Sequence, residues 1–407
     1  VKIHQNMGHA RDPGLRALPI GLSGQPPVDF EGDRMIGSPN RVSIDLSALR
    51  QNLNQVRALI GRETKIMGIV KSDAYGHGLV PVSRALEEQN IHYLGVAHIH
   101  EALELRRGGI GCPIAILCGI HTREEAEAVV EEDLTAVIFD RAVAETLAGE
   151  ARRRARRVRI QVKVDTGMGR LGIPYEDAGA FAGDIRSIGS LQLEALTSHL
   201  SSAEEAEHAF TDAQIGRFAG AIDAVRAGGW ELPMNNLANS AGIMGYRGAL
   251  FDMVRPGIML YGGRPAPKFR SPAPLRPVMR FTGRVLQVRE MPDHTPVSYG
   301  RTYYTKGRQR VAILSAGYGE GLPRDISNRG RVLIRGHKLK IAGTICMNMT
   351  MALVPHRVKV MPGDEAVFLG SQGKECITGD DVAAWGHTIA YEVFCAIGKR
   401  AERDGSK

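Results

Sequence analysis

Between residues 44 and 254, short apolar runs alternate with longer segments of helical periodicity. The apolar runs are 65–70, 93–97, 113–117, 135–139, 158–164, 193–197, 234–237 and 252–254. Helical patterns such as 46–60, 123–131 and 142–153 lie between them. Alternating strands and helices are typical of a parallel sheet, and eight such units predict a (β/α)8 barrel.

The pattern changes near Pro277, where strands and turns replace the alternation. Apolar stretches follow at 279–288, 297–305, 310–316, 331–334, 338–341, 344–354 and 365–369, and a helical stretch covers 380–397. Arg335-Gly336-His337 indicates a tight hairpin. We therefore predict an N-terminal extension (1–39), a barrel (40–276) and a mainly-β C-terminal domain (277–407), with a proline-rich linker at 264–277.

Composition narrows the class of protein. Of the 407 residues, 43% are hydrophobic and 24% are charged, which is typical of a soluble globular protein. No apolar run approaches 20 residues, and residues 1–39 lack the apolar core of a secretory signal, so we expect neither a membrane partner nor such a leader. The chain starts with valine, which leaves open that an upstream segment was removed.

The five cysteines are odd in number and lack CxxC spacing, which indicates reduced thiols, a cytoplasmic location and no metal site.

The net charge of +8 is concentrated in part at residues 152–157, which contain five arginines. A basic cluster can attract nucleic acid, but cations also suit the C-terminal end of a helix. Because no nucleic-acid-binding motif accompanies the cluster, we favour a solvated helix end and expect no nucleic-acid partner.

Polar residues follow the predicted barrel strands, at the ends where barrel enzymes carry their catalytic groups. They are Lys71, Tyr75, Lys163, Asp165, Arg170, His199, Asn239, Ser240 and Arg255. Each has an alternative structural interpretation: Lys71 could end a strand in solvent, His199 could be a core histidine, and Arg255 could form an ion pair. Their convergence on one face of the barrel favours a functional site.

A lysine at a desolvated barrel mouth suits covalent binding of an aldehyde. Burial disfavours the ammonium form, and the free amine of Lys71 can then attack a carbonyl carbon. The last two strands are followed by Asn239-Ser240 and by Arg255-Pro256-Gly257-Ile258, where this fold commonly binds phosphate. Together these features predict a site for pyridoxal 5'-phosphate.

Several segments resemble the alanine racemases, a family of pyridoxal phosphate enzymes. They are Val70-Lys71-Ser72-Asp73-Ala74-Tyr75-Gly76-His77-Gly78, Lys163-Val164-Asp165-Thr166-Gly167-Met168-Gly169-Arg170, His199, Asn239-Ser240, Val254-Arg255-Pro256-Gly257, Val297-Ser298-Tyr299-Gly300, Gly317-Tyr318-Gly319-Glu320-Gly321, Ile345-Cys346-Met347 and Tyr391-Glu392. They occur in order over roughly residues 42 to 400. The resemblance implies interconversion of L- and D-alanine, either to supply D-alanine for cell walls or in catabolism.

The resemblance also implies a role for each matching residue. Lys71 would bind the cofactor and act as base on one face of the substrate, and Tyr299 from the partner subunit of a homodimer would act on the other. Tyr75, Ser240, Gly257, Ile258 and Tyr391 would hold the phosphate, Arg170 the ring hydroxyl, and Arg255 the pyridine nitrogen with His199 and Asn239 behind it. Lys163 would be the carbamylated lysine, and Met347 and Tyr318 would lie near the substrate and its entry.

Two positions depart from the family pattern. Thr197 stands where an aromatic residue is usual, and Asn348 where an aspartate is usual. Both changes resemble broad-specificity amino acid racemases of the same fold, which is the alternative function; neutral drift also accounts for them. We expect alanine to be the best substrate, with measurable activity on serine.

Three other classes compete with a racemase. A decarboxylase or aldolase of the same fold would have no use for Tyr299, and a cofactor-carrier protein would consist of the barrel alone. A barrel that binds phosphate without the cofactor would show no absorbance from a lysine-bound aldehyde.

Overall fold

The computed structural model describes residues 37–266, 269 and 272–400, so most of the predicted extension at 1–39 lies outside the described residues. The strands of the N-terminal part are β1 (Arg41–Ile44), β2 (Lys65–Ile69), β3 (Tyr93–Val96), β4 (Ile114–Ile116), β5 (Thr135–Ile138), β6 (Val158–Asp165), β7 (Ile173–Pro174), β8 (Leu191–Thr197) and β9 (Met253–Val254).

Strands β2 to β9 form a closed parallel barrel, which confirms the predicted fold. Strand β2 pairs with β3 on one side and with β9 on the other, and the pairing continues through β4, β5 and β6 to β8. A single residue, Asn236, bridges Thr197 of β8 to Met253 of β9. The predicted strand at 234–237 is thus one bridge long, and the side chain of Asn235 helps to close the gap by accepting a hydrogen bond from Leu196 N at 2.9 Å.

Helices follow the barrel strands. The principal ones are Leu46–Ile60, Leu79–Glu87, Ile99–Arg107, Arg123–Glu131, Arg141–Arg153, Ala178–Ile188, Ala209–Ala227 and the short Ser240–Gly245. The first illustrates why they form: the Asp45 carboxylate caps it by accepting from Ser47 N and Ala48 N, and its apolar face, Leu49 and Leu53 among it, is fully buried.

The basic cluster at 152–157 is largely engaged in local contacts. Arg154 pairs with Glu127, Glu131 and Glu150, and Arg153 also pairs with Glu150. These contacts favour the interpretation of the cluster as a helix end stabilised by neighbouring carboxylates.

The C-terminal domain is mainly β, as predicted. Its strands are β10 (Met279–Met291), β11 (Pro296–Val297), β12 (Tyr303–Tyr304), β13 (Gln309–Leu314), β14 (Arg331–Ile334), β15 (His337–Lys340), β16 (Thr350–Val354), β17 (Glu365–Gln372) and β18 (Glu375–Ile377). The main sheet has the antiparallel order β15-β14-β17-β10-β13-β16. Between β14 and β15, Arg335 and Gly336 both have positive φ, the conformation of a two-residue hairpin turn.

Three details differ from the sequence pattern. Strand β1 pairs with β10 of the C-terminal sheet, although its residues fall in the segment assigned to the barrel. The stretch 380–397 contains two helices, Gly379–Trp385 and Ala390–Arg400. The stretch 297–305 is interrupted by a 3-10 turn at Tyr299–Arg301, where Gly300 has φ of 69°.

Among the described residues, no helix has both the length and the apolarity needed to cross a membrane. The five cysteines are all free thiols.

Candidate active site

Lys71 lies two positions after the end of the barrel strand β2 and begins a left-handed turn. Ser72, Asp73, Ala74 and Tyr75 have φ between 51° and 57°, a conformation that costs each L-residue about 1–2 kcal/mol. Four consecutive non-glycine residues in this conformation are strained, and strained backbone persists only where the surroundings hold it.

Contacts from other elements hold this turn. The buried Glu101 carboxylate accepts from Ser72 N at 2.5 Å and also from Ala97 N and His98 N. Asp73 accepts from Leu79 N at 2.8 Å. From the C-terminal domain, the helix Ala390–Arg400 packs so closely that a Cβ on Gly398 would lie 2.0 Å from the carbonyl oxygen of Gly76. The turn is therefore fixed jointly by the barrel and the last helix.

A cavity of about 450 Å³ opens at the barrel mouth beside Lys71, and its volume suits a small ligand or cofactor. Its lining includes eleven of the predicted site residues, namely Lys71, Tyr75, Lys163, Arg170, His199, Asn239, Ser240, Arg255, Gly257, Ile258 and Tyr391. Thr197, Cys118 and Cys395 line it as well. Two arginines and two lysines are among the lining residues, and no carboxylate is among the described residues that line the cavity, so it suits an anion.

The surroundings of the two lysines at this site lower the pKa of both amines. Burial lowers the pKa of Lys71, and the charges of Arg170 and Arg255 act in the same direction, against an opposing effect of Cys118. Burial, then Arg255 and Arg170, hold the pKa of Lys163 well below its usual value. Both amines are thereby made more nucleophilic.

Arg255 is buried and held by acceptors on neighbouring strands. Its Nη1 donates to the backbone and side-chain oxygens of Asn236 and to Thr197 Oγ1 at 3.2 Å. Its Nη2 donates to Ser198 O and to His199 Nδ1 at 3.1 Å. Burial lowers the pKa of this guanidinium to about 10, so it remains charged at neutral pH.

His199 is a neutral acceptor in this arrangement. Burial, and then the charge of Arg255, hold the pKa of His199 well below its usual value. Because a guanidinium only donates, Nδ1 of the ring must accept, which leaves the proton on Nε2. Asn239 has a different function in the structure: it caps the helix Ser240–Gly245 by accepting from Gly242 N at 2.9 Å.

Part of the cavity wall carries hydroxyl groups. Ser240 Oγ accepts from Gly257 N at 3.1 Å, and the rings of Tyr75 and Tyr391 lie 5.7 Å apart. Burial raises the pKa of both phenols, so they stay protonated and can donate. A Cβ on Gly257 would lie 2.5 Å from the Tyr75 hydroxyl oxygen. A phosphate ester such as pyridoxal phosphate fits this set of groups, because uncharged donors and a glycine backbone line the same cavity as the arginines.

Three predicted site residues lie outside the lining of this cavity. Tyr299 is 70% exposed, Met347 is 57% exposed and Tyr318 is half-buried. They share one region of the C-terminal domain, because Tyr318 N donates to Cys346 O and Ser298 Oγ lies 3.4 Å from Cys346 Sγ. The cavity of one chain therefore contains Lys71 without Tyr299.

Asn348, one of the two unusual positions, has a local partner. Its Nδ2 donates to Glu320 Oε1 at 2.7 Å. An aspartate there would place two carboxylates together, so the asparagine is explained by its neighbour.

Several residues of the site were not found from the sequence. Glu101 and Asn236 contact Ser72 and Arg255 across 29 and 19 positions of the chain. For Glu101 a local signal existed, since it stands three residues after the N-cap His98, the capping-box spacing.

Family models match most of the chain. One described as the N-terminal domain of alanine racemase matches residues 44–265, and one described as its C-terminal domain matches residues 278–404. The alanine racemase of Syntrophobacter fumaroxidans is 40% identical over 88% of this chain and 95% of its own length. That of Geobacter sulfurreducens is 39% identical over 91% and 97%.

Solved structures give the same result. The alanine racemase of a D-cycloserine-producing Streptomyces lavendulae has a TM-score of 0.85 at 33% identity and covers 91% of this chain and 98% of its own. That of Bacillus anthracis, solved with bound L-Ala-P, has a TM-score of 0.81 at 29% identity over 90% and 95%.

Proposed function

The chain belongs to the alanine racemase family of isomerases, and we propose that it interconverts L- and D-alanine with pyridoxal 5'-phosphate bound at the barrel mouth. The observation that carries the proposal is the cavity lined by Arg170, Arg255 and two lysines, with no carboxylate among its described lining and a lowered pKa at Lys71. An anionic aldehyde is the ligand that satisfies both its charge and its nucleophile.

Each end of the cofactor would have its own set of residues. Lys71 would bind the aldehyde, Arg170 the ring hydroxyl and Arg255 the pyridine nitrogen, with His199 and Asn239 nearby. The phosphate would be held by Tyr75, Ser240, Gly257, Ile258 and Tyr391. When bound, pyridoxal phosphate supplies the electron sink that makes the Cα proton of an amino acid removable.

Arg255 would restrain that electron sink. Because its guanidinium stays charged at neutral pH, it disfavours a proton on the pyridine nitrogen. A weaker electron sink would favour racemisation over transamination.

Two bases would handle the proton, one on each face of the substrate. Burial lowers the pKa of Lys71, which supports its assignment as one of the two, because a larger fraction of its amine is then free to accept a proton. Tyr299 would come from the partner subunit of a homodimer, with Met347 and Tyr318 beside it. Its 70% exposure supports this assignment, because a tyrosine that reaches a partner's site must project from its own chain.

Lys163 would carry a carbamate. Its free amine would attack carbon dioxide, forming one C–N bond and releasing one proton to solvent, and the product anion would lie near Arg170 and Arg255. The lowered pKa of Lys163 and these two cations support the assignment. Intact-mass measurement with and without bicarbonate tests it.

Alanine is the expected best substrate. The alternative, a broad-specificity racemase, is favoured by Thr197, which places a small side chain on the cavity wall. Rates on L-alanine, L-serine and L-lysine distinguish the two, and faster turnover of lysine than alanine would exclude alanine preference. We also expect a cytoplasmic location, which the five free thiols support.

Circular dichroism decay of L- and D-alanine tests the two-base proposal. We expect Lys71→Ala to lose activity in both directions and covalent cofactor binding with it. Tyr299→Phe should lose proton abstraction from one enantiomer more than from the other. Equal and small losses in both directions for Tyr299→Phe would contradict the assignment.

A further inference from the structure

A line of buried polar side chains runs through the barrel interior and ends at Arg255. Tyr93 Oη donates to Glu194 Oε1 at 2.7 Å, and Gln161 Nε2 donates to the same oxygen at 3.2 Å. Asn236 Nδ2 donates to Gln161 Oε1 at 3.2 Å, and Asn236 Oδ1 accepts from Arg255. Glu194 is 6% exposed and both amides are 0% exposed.

This line has a direction, because its two ends differ in hydrogen-bonding character. The Glu194 carboxylate only accepts and the Arg255 guanidinium only donates, whereas each amide has one end of each kind. Gln161 therefore turns its NH2 group toward Glu194 and its oxygen toward Asn236. Asn236 in turn gives its NH2 group to Gln161 and its oxygen to Arg255. Reversing either amide would place two donors or two acceptors together.

The neighbours of Asn236 agree with this direction. Its Nδ2 also donates to Met234 O at 2.8 Å, and its Oδ1 accepts from Thr197 Oγ1 at 2.7 Å. Thr197 thus touches Arg255 and Asn236 at once. These contacts and the Gln161 oxygen together set the orientation of the Asn236 amide.

Burial of the Glu194 carboxylate costs free energy of folding. Within the described part of the chain its hydrogen bonds are to a phenol and an amide, and it has no ion pair with a cation. A buried carboxylate without a cationic partner destabilises a protein unless its hydrogen bonds compensate. A glutamine of the same shape would satisfy Tyr93 and Gln161 at lower cost, but it would not impose a direction.

We propose that Glu194 is a positioning residue for Arg255, acting through Gln161 and Asn236, because its acceptor-only carboxylate orients Gln161 and so supports the arrangement in which Asn236 turns its oxygen to the guanidinium. The inference rests on the proposed function, in which Arg255 meets the pyridine nitrogen. Without the carboxylate, Gln161 can reverse and present its NH2 group to Asn236 Nδ2, and the Asn236 amide must then shift against Arg255.

The test compares Glu194→Gln with Tyr93→Phe as a matched control that also removes one buried hydrogen bond at Glu194. The probes are pyridoxal phosphate and its analogue with carbon in place of the pyridine nitrogen, titrated into apo-protein by fluorescence. A hydrogen bond to a charged group is worth about a 10- to 150-fold difference in affinity between the two probes. We expect Glu194→Gln to reduce this ratio at least threefold and Tyr93→Phe to leave it unchanged.

A double-mutant cycle with Asn236→Asp provides a second measurement. In Asn236→Asp alone, the new carboxylate would face the Gln161 oxygen that Glu194 holds in place. In Asn236→Asp with Glu194→Gln, Gln161 can turn its NH2 group to the aspartate, so the double variant should recover at least part of the lost melting temperature. Additive losses would show that residues 194 and 236 are not coupled through Gln161.

The outcomes distinguish a failure of the proposed place of Arg255 from a failure of the proposed role of Glu194. Equal affinity of the wild type for both probes would overturn the place of Arg255 and this inference together. A wild-type ratio retained in Glu194→Gln, or additive losses in the cycle, would overturn the role of Glu194 alone. A reduced ratio in both Glu194→Gln and Tyr93→Phe would also overturn it, since any buried hydrogen bond would then have the same effect.

Discussion

Gly257→Ala should damage the phosphate end of the cavity by steric contact. The backbone of Gly257 has φ of −119°, outside the left-handed region that favours glycine. The added Cβ, however, would lie 2.5 Å from the Tyr75 hydroxyl oxygen and 3.2 Å from Cζ of the same ring. Tyr75 has little room to move, because it is 7% exposed and its ring lies 4.9 Å from that of Tyr261.

The magnitude follows from how that contact is relieved. Overpacking of a filled site costs about 1–3 kcal/mol, and we expect a loss of that size in the free energy of unfolding of the apo-protein. If the Tyr75 hydroxyl swings out of the cavity, a hydrogen bond to a charged phosphate is also lost, worth about 1.5–3 kcal/mol. At 1.4 kcal/mol per factor of ten, the dissociation constant for pyridoxal phosphate should rise about 10- to 150-fold.

Urea unfolding and a fluorescence titration with pyridoxal phosphate measure the two effects. Gly149→Ala is the control, since Gly149 lies in the helix Arg141–Arg153 with nothing within 4 Å of the added Cβ. That variant should gain stability, by up to about 1 kcal/mol, and bind the cofactor normally. Gly257→Ala combined with Tyr75→Phe should recover stability but not affinity. Wild-type stability and affinity in Gly257→Ala would refute the reasoning.

Three other changes test separate parts of the structure. Glu101→Ala removes the acceptor of three backbone N–H groups and should lower the free energy of unfolding, measured in urea, by about 3 kcal/mol. Glu101→Gln should lower it less. A change below about 0.5 kcal/mol in Glu101→Ala would show that the left-handed turn does not need this carboxylate. The pKa of Lys163 is lowered on folding from 10.5, so between its folded pKa and 10.5 the unfolded chain binds more protons than the folded chain, and the free energy of unfolding should rise with pH. Lys163→Met should flatten that rise in urea unfolding of the apo-protein. An unchanged slope would contradict the lowered pKa. Asn348→Asp should lower the free energy of unfolding by about 0.5–1 kcal/mol at pH 7, because the new carboxylate is repelled by Glu320. Addition of Glu320→Gln should restore the melting temperature. A loss that persists in the double variant would rule out repulsion as its cause.

The barrel and the amine at its mouth were predictable because both depend on periodic or local signals. Lys71 ends an apolar run, and a residue just past a barrel strand faces the mouth whatever the loop does next. The left-handed conformation of Ser72–Tyr75 was not predictable, since no glycine stands at those four positions to indicate it and tertiary contacts impose it.

Contacts between distant segments account for the other differences. Asn235, Asn236 and Asn239 lie close together in the sequence, and only the exact register of the strand decides which amide reaches Arg255. The pairing of β1 with β10 joins residues 235 to 241 positions apart, from Ile44 opposite Met279 to Arg41 opposite Thr282. No local sequence pattern indicates such a pairing.

The contact between Gly76 and Gly398 has a consequence for biosynthesis. A ribosome releases the barrel segment well before the last helix, yet that helix supplies Tyr391 and braces the turn that carries Lys71. A nascent chain would therefore have a barrel without a finished pocket until the helix Ala390–Arg400 has been synthesised. Deletion of this helix should accordingly abolish a site whose lysine lies more than 300 positions earlier in the chain.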